Sequence, residues 1–131
     1  MLNNSEYKIL CLGDVVGEDA VVKIRSTLPK YIKDNKINCV IVNGENALMG
    51  KGNGISPSIA EELFYSGVDV ITGGNHSFAS SSIYSMLDES RFIIRPANLH
   101  SSCPGFGSTV ADIDGKKILV LNVIGRIYMS N

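Results

Sequence analysis

Three short stretches concentrate the side chains able to do chemistry. They are Gly13-Asp14-Val15-Val16-Gly17, Asn43-Gly44-Glu45-Asn46-Ala47 and Gly73-Gly74-Asn75-His76-Ser77. Asp14 and Glu45 offer carboxylates and Asn46 and Asn75 offer amide oxygens, hard donors of the kind that Mg, Mn or Fe(II) takes; Glu45 could bridge two ions. His76 adds an imidazole, a side chain suited to passing a proton or to hydrogen-bonding a phosphoryl group. Each signal has a structural rival. An Asp after a strand commonly caps a helix, and an Asn beside Gly commonly serves a turn. The Glu45-Asn46 pair resists that explanation, because its strand favours burial and no cation follows until Lys51. His76, next to Asn75 in a glycine-rich loop, reads as catalytic, whereas His100 in HSSCPG reads as an exposed loop residue. Two nucleotide motifs fail. GDVVG lacks the central glycine of G-x-G-x-x-G; Gly50-Lys51 has Glu45 where a P-loop needs its first glycine and Gly52 where it needs Ser or Thr.

The elements that must position these loops alternate between strand and helix. Tyr7 to Gly13 is an apolar run predicted as a strand buried on both faces, and Asp19 to Lys33 carries Val22, Ile24, Leu28 and Ile32 at roughly helical spacing. Pro29 is expected to kink or divide that helix. Cys39 to Val42 is a second strand, followed by a loop with glycines at 44, 50, 52 and 54. Ser56-Pro57 reads as an N-cap with Pro at the first helical position, and Gly67 as the helix stop. Val68 to Thr72 is a third strand, Ser81 to Glu89 a third helix with Ile83, Met86 and Leu87 on one face, and Phe92 to Ile94 a fourth strand. Such order predicts an α/β fold, a mostly parallel sheet with flanking helices and right-handed crossovers. Ser108 to Ile113 and Ile118 to Val123 around Asp114-Gly115 predict a closing antiparallel hairpin. In an open sheet of this kind the loops at the carboxyl ends of the strands share one rim, so Asp14, Glu45, Asn46, Asn75 and His76 should gather there.

Composition narrows the class. The chain has 131 residues, 44% hydrophobic and 19% charged, and a formal net charge of -1. One globular domain with its own core is expected, and non-specific binding to a phosphate backbone is not. Cys11, Cys39 and Cys103 are odd in number and widely separated, which excludes a disulfide set; Cys11 and Cys39, inside apolar runs, are expected to be inert core residues. Neither a signal sequence nor an 18-residue apolar stretch is evident, so a cytoplasmic protein without membrane contact is expected.

The series GDVVG, VIVNGENA, ITGGNHSF, IRPANL and NVIGRIYM resembles the YmdB-like branch of the calcineurin-like metallophosphoesterases over nearly the whole chain. GNH occurs across that superfamily, whereas NGENA and RPAN point to the branch. The resemblance implies a centre of two divalent ions, Fe, Mn or Mg, that hydrolyses small phosphodiesters such as cyclic nucleotides. It implies Asp14 and Asn46 at one ion, Glu45 as the bridge, Asn75 at the second and His76 facing the scissile phosphate. Gly17, at a helix start, and Ser77 are expected on the substrate side.

The resemblance also implies a four-layer α-β-β-α sandwich of which this chain would supply half. Phe78 keeps the family's aromatic after the third motif, while Ala79 stands where an acidic residue is usual. The family completes its metal sites with later histidines. Residues 1–131 are therefore expected to be a metallophosphoesterase domain truncated at its C-terminal side, holding metal weakly or not at all alone. An open apolar sheet face is expected to drive homo-oligomerisation. The rival readings are a non-catalytic phosphate- or nucleotide-binding or assembly module and, less favoured, a flavodoxin-like nucleotide-binding domain.

Overall fold

A computed structural model describes residues 6–48 and 53–127. Four strands, β1 (Ile9–Leu12), β2 (Cys39–Asn43), β3 (Val70–Thr72) and β4 (Ile93–Ile94), form a parallel sheet in the order β1-β2-β3-β4. Because neighbours in space are neighbours in sequence, every connection crosses the same face. That face carries α1 (Gly17–Asn35), α2 (Pro57–Tyr65) and α3 (Tyr84–Glu89), the last preceded by a single 3₁₀ turn at Ser81–Ile83. Val40, Val42, Ile71 and Ile93 of the sheet pack there against Val21, Leu28, Ile59, Leu63, Ile83 and Leu87. The opposite face receives the antiparallel hairpin of β5 (Ser108–Ile113) and β6 (Lys116–Leu121), whose Ala111 and Val120 bury Val70 and Ile94. The result is three layers, α-β-β.

Several local signals are realised as written. The Ser56 hydroxyl accepts the Ile59 N–H at 3.3 Å with Pro57 behind it, and Asp114 and Gly115 take φ values of 53° and 74°, as a two-residue hairpin turn requires. That turn starts β6 at Lys116 instead of Ile118, so Asn122 and Val123 fall outside the ladder.

Three expectations need correction. Helix α1 runs unbroken through Pro29, which lies on the exposed side, where water can satisfy the Arg25 carbonyl that loses its donor. Its buried stripe is Gly17, Val21 and Leu28; Val21 is 2% exposed and Val22 48%, one position away from the predicted face. Strand β1 is an edge strand that is not buried on both faces. The hairpin covers β2 to β4 only, leaving Ile9 at 46% exposure and Cys11 exposed. Cys39, one strand inward, is buried as expected, and burial, then Asp69 and Cys11, push its thiol up to about 11.

Asp69 leads into β3, and its carboxylate accepts the Val40 N–H at 2.7 Å. Burial holds this carboxyl above the ordinary carboxylate range, against the lowering effect of the Val40 bond. The native state therefore binds this proton more tightly than the unfolded chain, and the contribution to stability falls as pH rises from the unfolded carboxylate value of about 3.9 through the raised one. Asp69→Asn keeps an acceptor for Val40 and removes the titration. Its urea midpoint relative to wild type is expected to improve between about pH 3.5 and about pH 7; a constant difference across that window would show that the group does not titrate with folding.

Candidate active site

All four parallel strands end at one edge, and the three loops that follow β1, β2 and β3 meet there. Val15 N donates to Asn43 O at 3.0 Å and Gly17 N to Asn46 O at 2.9 Å, stitching the first loop to the second. Gly44 N donates to Thr72 O at 3.1 Å, and the Asn43 amide to Gly73 O at 3.2 Å, stitching the second to the third. The functional side chains then form a continuous network. Asn46 Nδ2 donates to Asp14 Oδ1 at 2.7 Å, Asn46 Oδ1 meets His76 Nδ1 at 2.7 Å, and Glu45 Oε2 accepts the His76 backbone N–H at 2.7 Å. Asn75 Nδ2 lies 3.0 Å from His76 Nε2. Asp14 sits at φ 38°, a left-handed conformation that Asp tolerates better than most residues.

Asp14, Glu45, Asn46, Asn75 and His76 are thus brought together from three loops. Gly17 and Ser77 are nearby but differently employed. The Gly17 N–H is given to the Asn46 carbonyl, and Glu18 and Asp19 follow it in the first turn of α1. Ser77 is buried, its hydroxyl accepting from Gly74 N and donating to Gly74 O, both at 2.9 Å. Both residues shape the loops from within. His100 is exposed and bonds locally to Ser102. Gly50, Lys51 and Gly52 lie outside the described residues.

The oxygen donors fit a hard divalent ion in kind but not in number. No group of three His, Cys, Asp or Glu able to hold a metal assembles among the described residues. Asn46 is spent on Asp14 and His76, acting as a relay between them. Two ions sharing a bridge want on the order of ten donor positions, and two carboxylates with two amides supply only part of them.

Sequence reasoning passed over Asn53, Asn98 and Asn122. Asn122 Nδ2 donates to Gly73 O at 3.0 Å and Ile94 O at 3.3 Å, clamping the carboxyl ends of β3 and β4. Asn98 and Ile124 exchange hydrogen bonds of 2.7 and 2.9 Å. Their signal was present in the RPAN and NVIG motifs, without a role attached. Asn53 approaches His76 from the far end of the second loop, with only its flanking glycines to mark it.

A parallel α/β sheet with carboxylates, amides and an imidazole converging at its carboxyl edge belongs to the class of α/β domains whose rim takes polar ligands. More particularly, the chain belongs to the family of YmdB-like proteins, whose family model matches residues 10–131. It is 37% identical over 122 residues to the 2′,3′-cyclic-nucleotide 2′-phosphodiesterase of Bacillus subtilis (strain 168), covering 93% of this chain and 46% of that relative. A crystal structure of a hypothetical protein from Thermus thermophilus superposes with a TM-score of 0.83 at 35% identity, over 94% of this chain and 47% of that one. A crystal structure described as a novel phosphatase from Mycoplasma pneumoniae gives 0.80 at 32%, over 91% and 43%. The chain spans about half the length of the relatives it matches. No helix among the described residues is long and apolar enough to cross a membrane.

Proposed function

We propose that this rim is the chain's share of a two-ion phosphodiesterase centre acting on small phosphodiesters such as cyclic nucleotides. The observation that carries the reading is the convergence of Asp14, Asn46 and His76 from three separate loops through two 2.7 Å contacts. Family membership and the phosphodiesterase and phosphatase names of the relatives support it.

In this reading Asp14 and Asn46 would face one ion, Glu45 both and Asn75 the other, with further donors from outside the described residues. Fe, Mn or Mg held there would supply a nucleophile at neutral pH and offset the charge of the phosphoryl group. His76, held by Asn46 and Glu45, hydrogen-bonds the phosphoryl group and moves a proton toward the leaving oxygen, a contribution typically of about 10²–10⁴-fold. Binding of ions by the 131 residues alone is weak. The free thiols of Cys11, Cys39 and Cys103 suit the cytoplasm. The exposed stripe of Val110, Leu119 and Leu121 on the outer face of the hairpin favours self-association.

The small donor set also favours a second reading, a rim that holds phosphate without hydrolysing it. Calorimetric titration with Mn²⁺ separates the two. Weak uptake that Asp14→Ala abolishes is the expected result. Absence of uptake, with inorganic phosphate bound equally by wild type and Asp14→Ala, would overturn the phosphodiesterase reading in favour of the second.

A further inference from the structure

We infer that Arg95 is a binding site for a phosphate-type oxyanion, distinct in its residues from the network of Asp14, Asn46 and His76. Arg95 follows β4 directly and is only 7% exposed. A guanidinium carries a positive charge and five N–H donors. Here a single nitrogen is used, Nη1, which donates to the neighbouring Pro96 O at 2.9 Å. Nε is sealed from water without a partner, and Nη2 makes no hydrogen bond to any described residue. No carboxylate among the described residues pairs with the side chain. A buried charge in that state is costly until an anion meets it. The unused edge decides which anion. Nε and Nη2 aim their N–H groups in parallel, the fork that takes two oxygens of a phosphate side by side.

The fold fixes this residue at the carboxyl edge of the sheet. Arg95 N donates to Phe106 O at 2.9 Å, Pro96 is fully buried, and Ala97 N donates to Asn122 O at 2.8 Å, so the backbone is held on both sides. Gly73 N donates to Ile94 O at 2.8 Å, which ties the start of this fourth loop to the loop that carries Asn75 and His76. An arginine kept for its aliphatic stem would leave its head in water, as long charged side chains usually do. Arg95 instead withdraws its head and leaves a donor pair unspent, and the described residues supply no anion to meet it. Hydrolysis of a phosphodiester yields a phosphate monoester, an oxyanion of the class this fork takes. That link to turnover rests on the function proposed above; the site itself stands without it.

Titration of the 131-residue chain with inorganic phosphate tests this, in the presence of a chelator and with ionic strength held constant by sodium chloride. The ¹⁵N–¹H signal of Arg95 Nε, protected from exchange by burial, should move downfield and saturate. At about 20 times its half-saturating concentration, phosphate should raise the wild-type folding constant measured in urea about 20-fold. Arg95→Met keeps an unbranched stem and removes the fork, so its folding constant should not respond. Arg95→Lys keeps the charge but loses the paired donors, and should need about tenfold more phosphate. Dimethyl phosphate separates the sources: a response to it as well shows that the site takes a diester, and a response to inorganic phosphate alone that it takes the free ion or a monoester. An Nε–H signal unmoved by phosphate would overturn the inference, as would equal stabilisation of wild type and Arg95→Met. Metal is excluded throughout, so failure here leaves the ion centre standing, and failed Mn²⁺ uptake leaves Arg95 standing.

Discussion

Gly74→Ala is expected to dismantle the junction between Glu45 and His76 while leaving the parallel sheet folded. A Cβ at position 74 would fall 2.5 Å from both Cδ and Oε2 of Glu45, and closer still to Oε1. The carboxylate must then swing away and give up the His76 N–H that it accepts at 2.7 Å. The backbone at Gly74 is not in the left-handed region, so the effect is purely steric. Overpacking and the loss of a charge-assisted bond should together cost about 1–3 kcal/mol. The larger effect is local: the His76 backbone amide resonance should shift upfield as its hydrogen bond is lost, and Mn²⁺ uptake should fall by about tenfold, the equivalent of ~1.4 kcal/mol. An unmoved His76 amide in the variant would mean that the loop accommodates the methyl group and that Glu45 is not held against Gly74.

The largest effect on stability should come from Gly107→Ala. A Cβ there would meet the Cβ of Ala97 at 2.5 Å and its backbone nitrogen at 3.0 Å. Neither obstacle is a flexible side chain. Gly107 O accepts Asn122 N at 3.1 Å and Ala97 N donates to Asn122 O at 2.8 Å, so three backbone segments are tied together at this point. Relief requires one of them to move, at the expense of those bonds and of the Asn122 clamp on Gly73 and Ile94. A loss of about 3 kcal/mol is expected from urea denaturation, at the upper end of ordinary overpacking. Gly115→Ala is the internal comparison: φ is +74° with no atom within 4 Å of the added Cβ, so only the conformational cost of about 1 kcal/mol applies. Equal losses in the two variants would show that the approach of Gly107 to Ala97 is not close enough to matter.

Both predictions concern contacts between segments distant along the chain, and the same distinction separates what could be read early from what could not. The alternation of apolar runs with helical periodicity already contains the strand–helix order, because burial and turn formation are decided within a few residues. Ser56-Pro57 capping α2 and Asp114-Gly115 turning the hairpin are of this local kind. The gathering of Asp14, Glu45, Asn46, Asn75 and His76 also followed, since parallel strands place their carboxyl ends on one side.

Other features depended on partners that no local pattern names. Cys11 is exposed because the hairpin stops short of β1. Pro29 remains inside α1 because its freed carbonyl faces solvent. Ser77 turns inward because Gly74 offers it both a donor and an acceptor. Asn46 becomes a relay, and Asn53 reaches the imidazole across a Gly54–Ala79 contact. The amino-acid order by itself determined which groups stand at the rim, since strand direction settles that. Which of those groups hold one another, and which remain available to a ligand, only the tertiary structure decided, because hydrogen bonds of about 3 Å depend on how closely separate loops approach, and that is set by packing across the whole sheet.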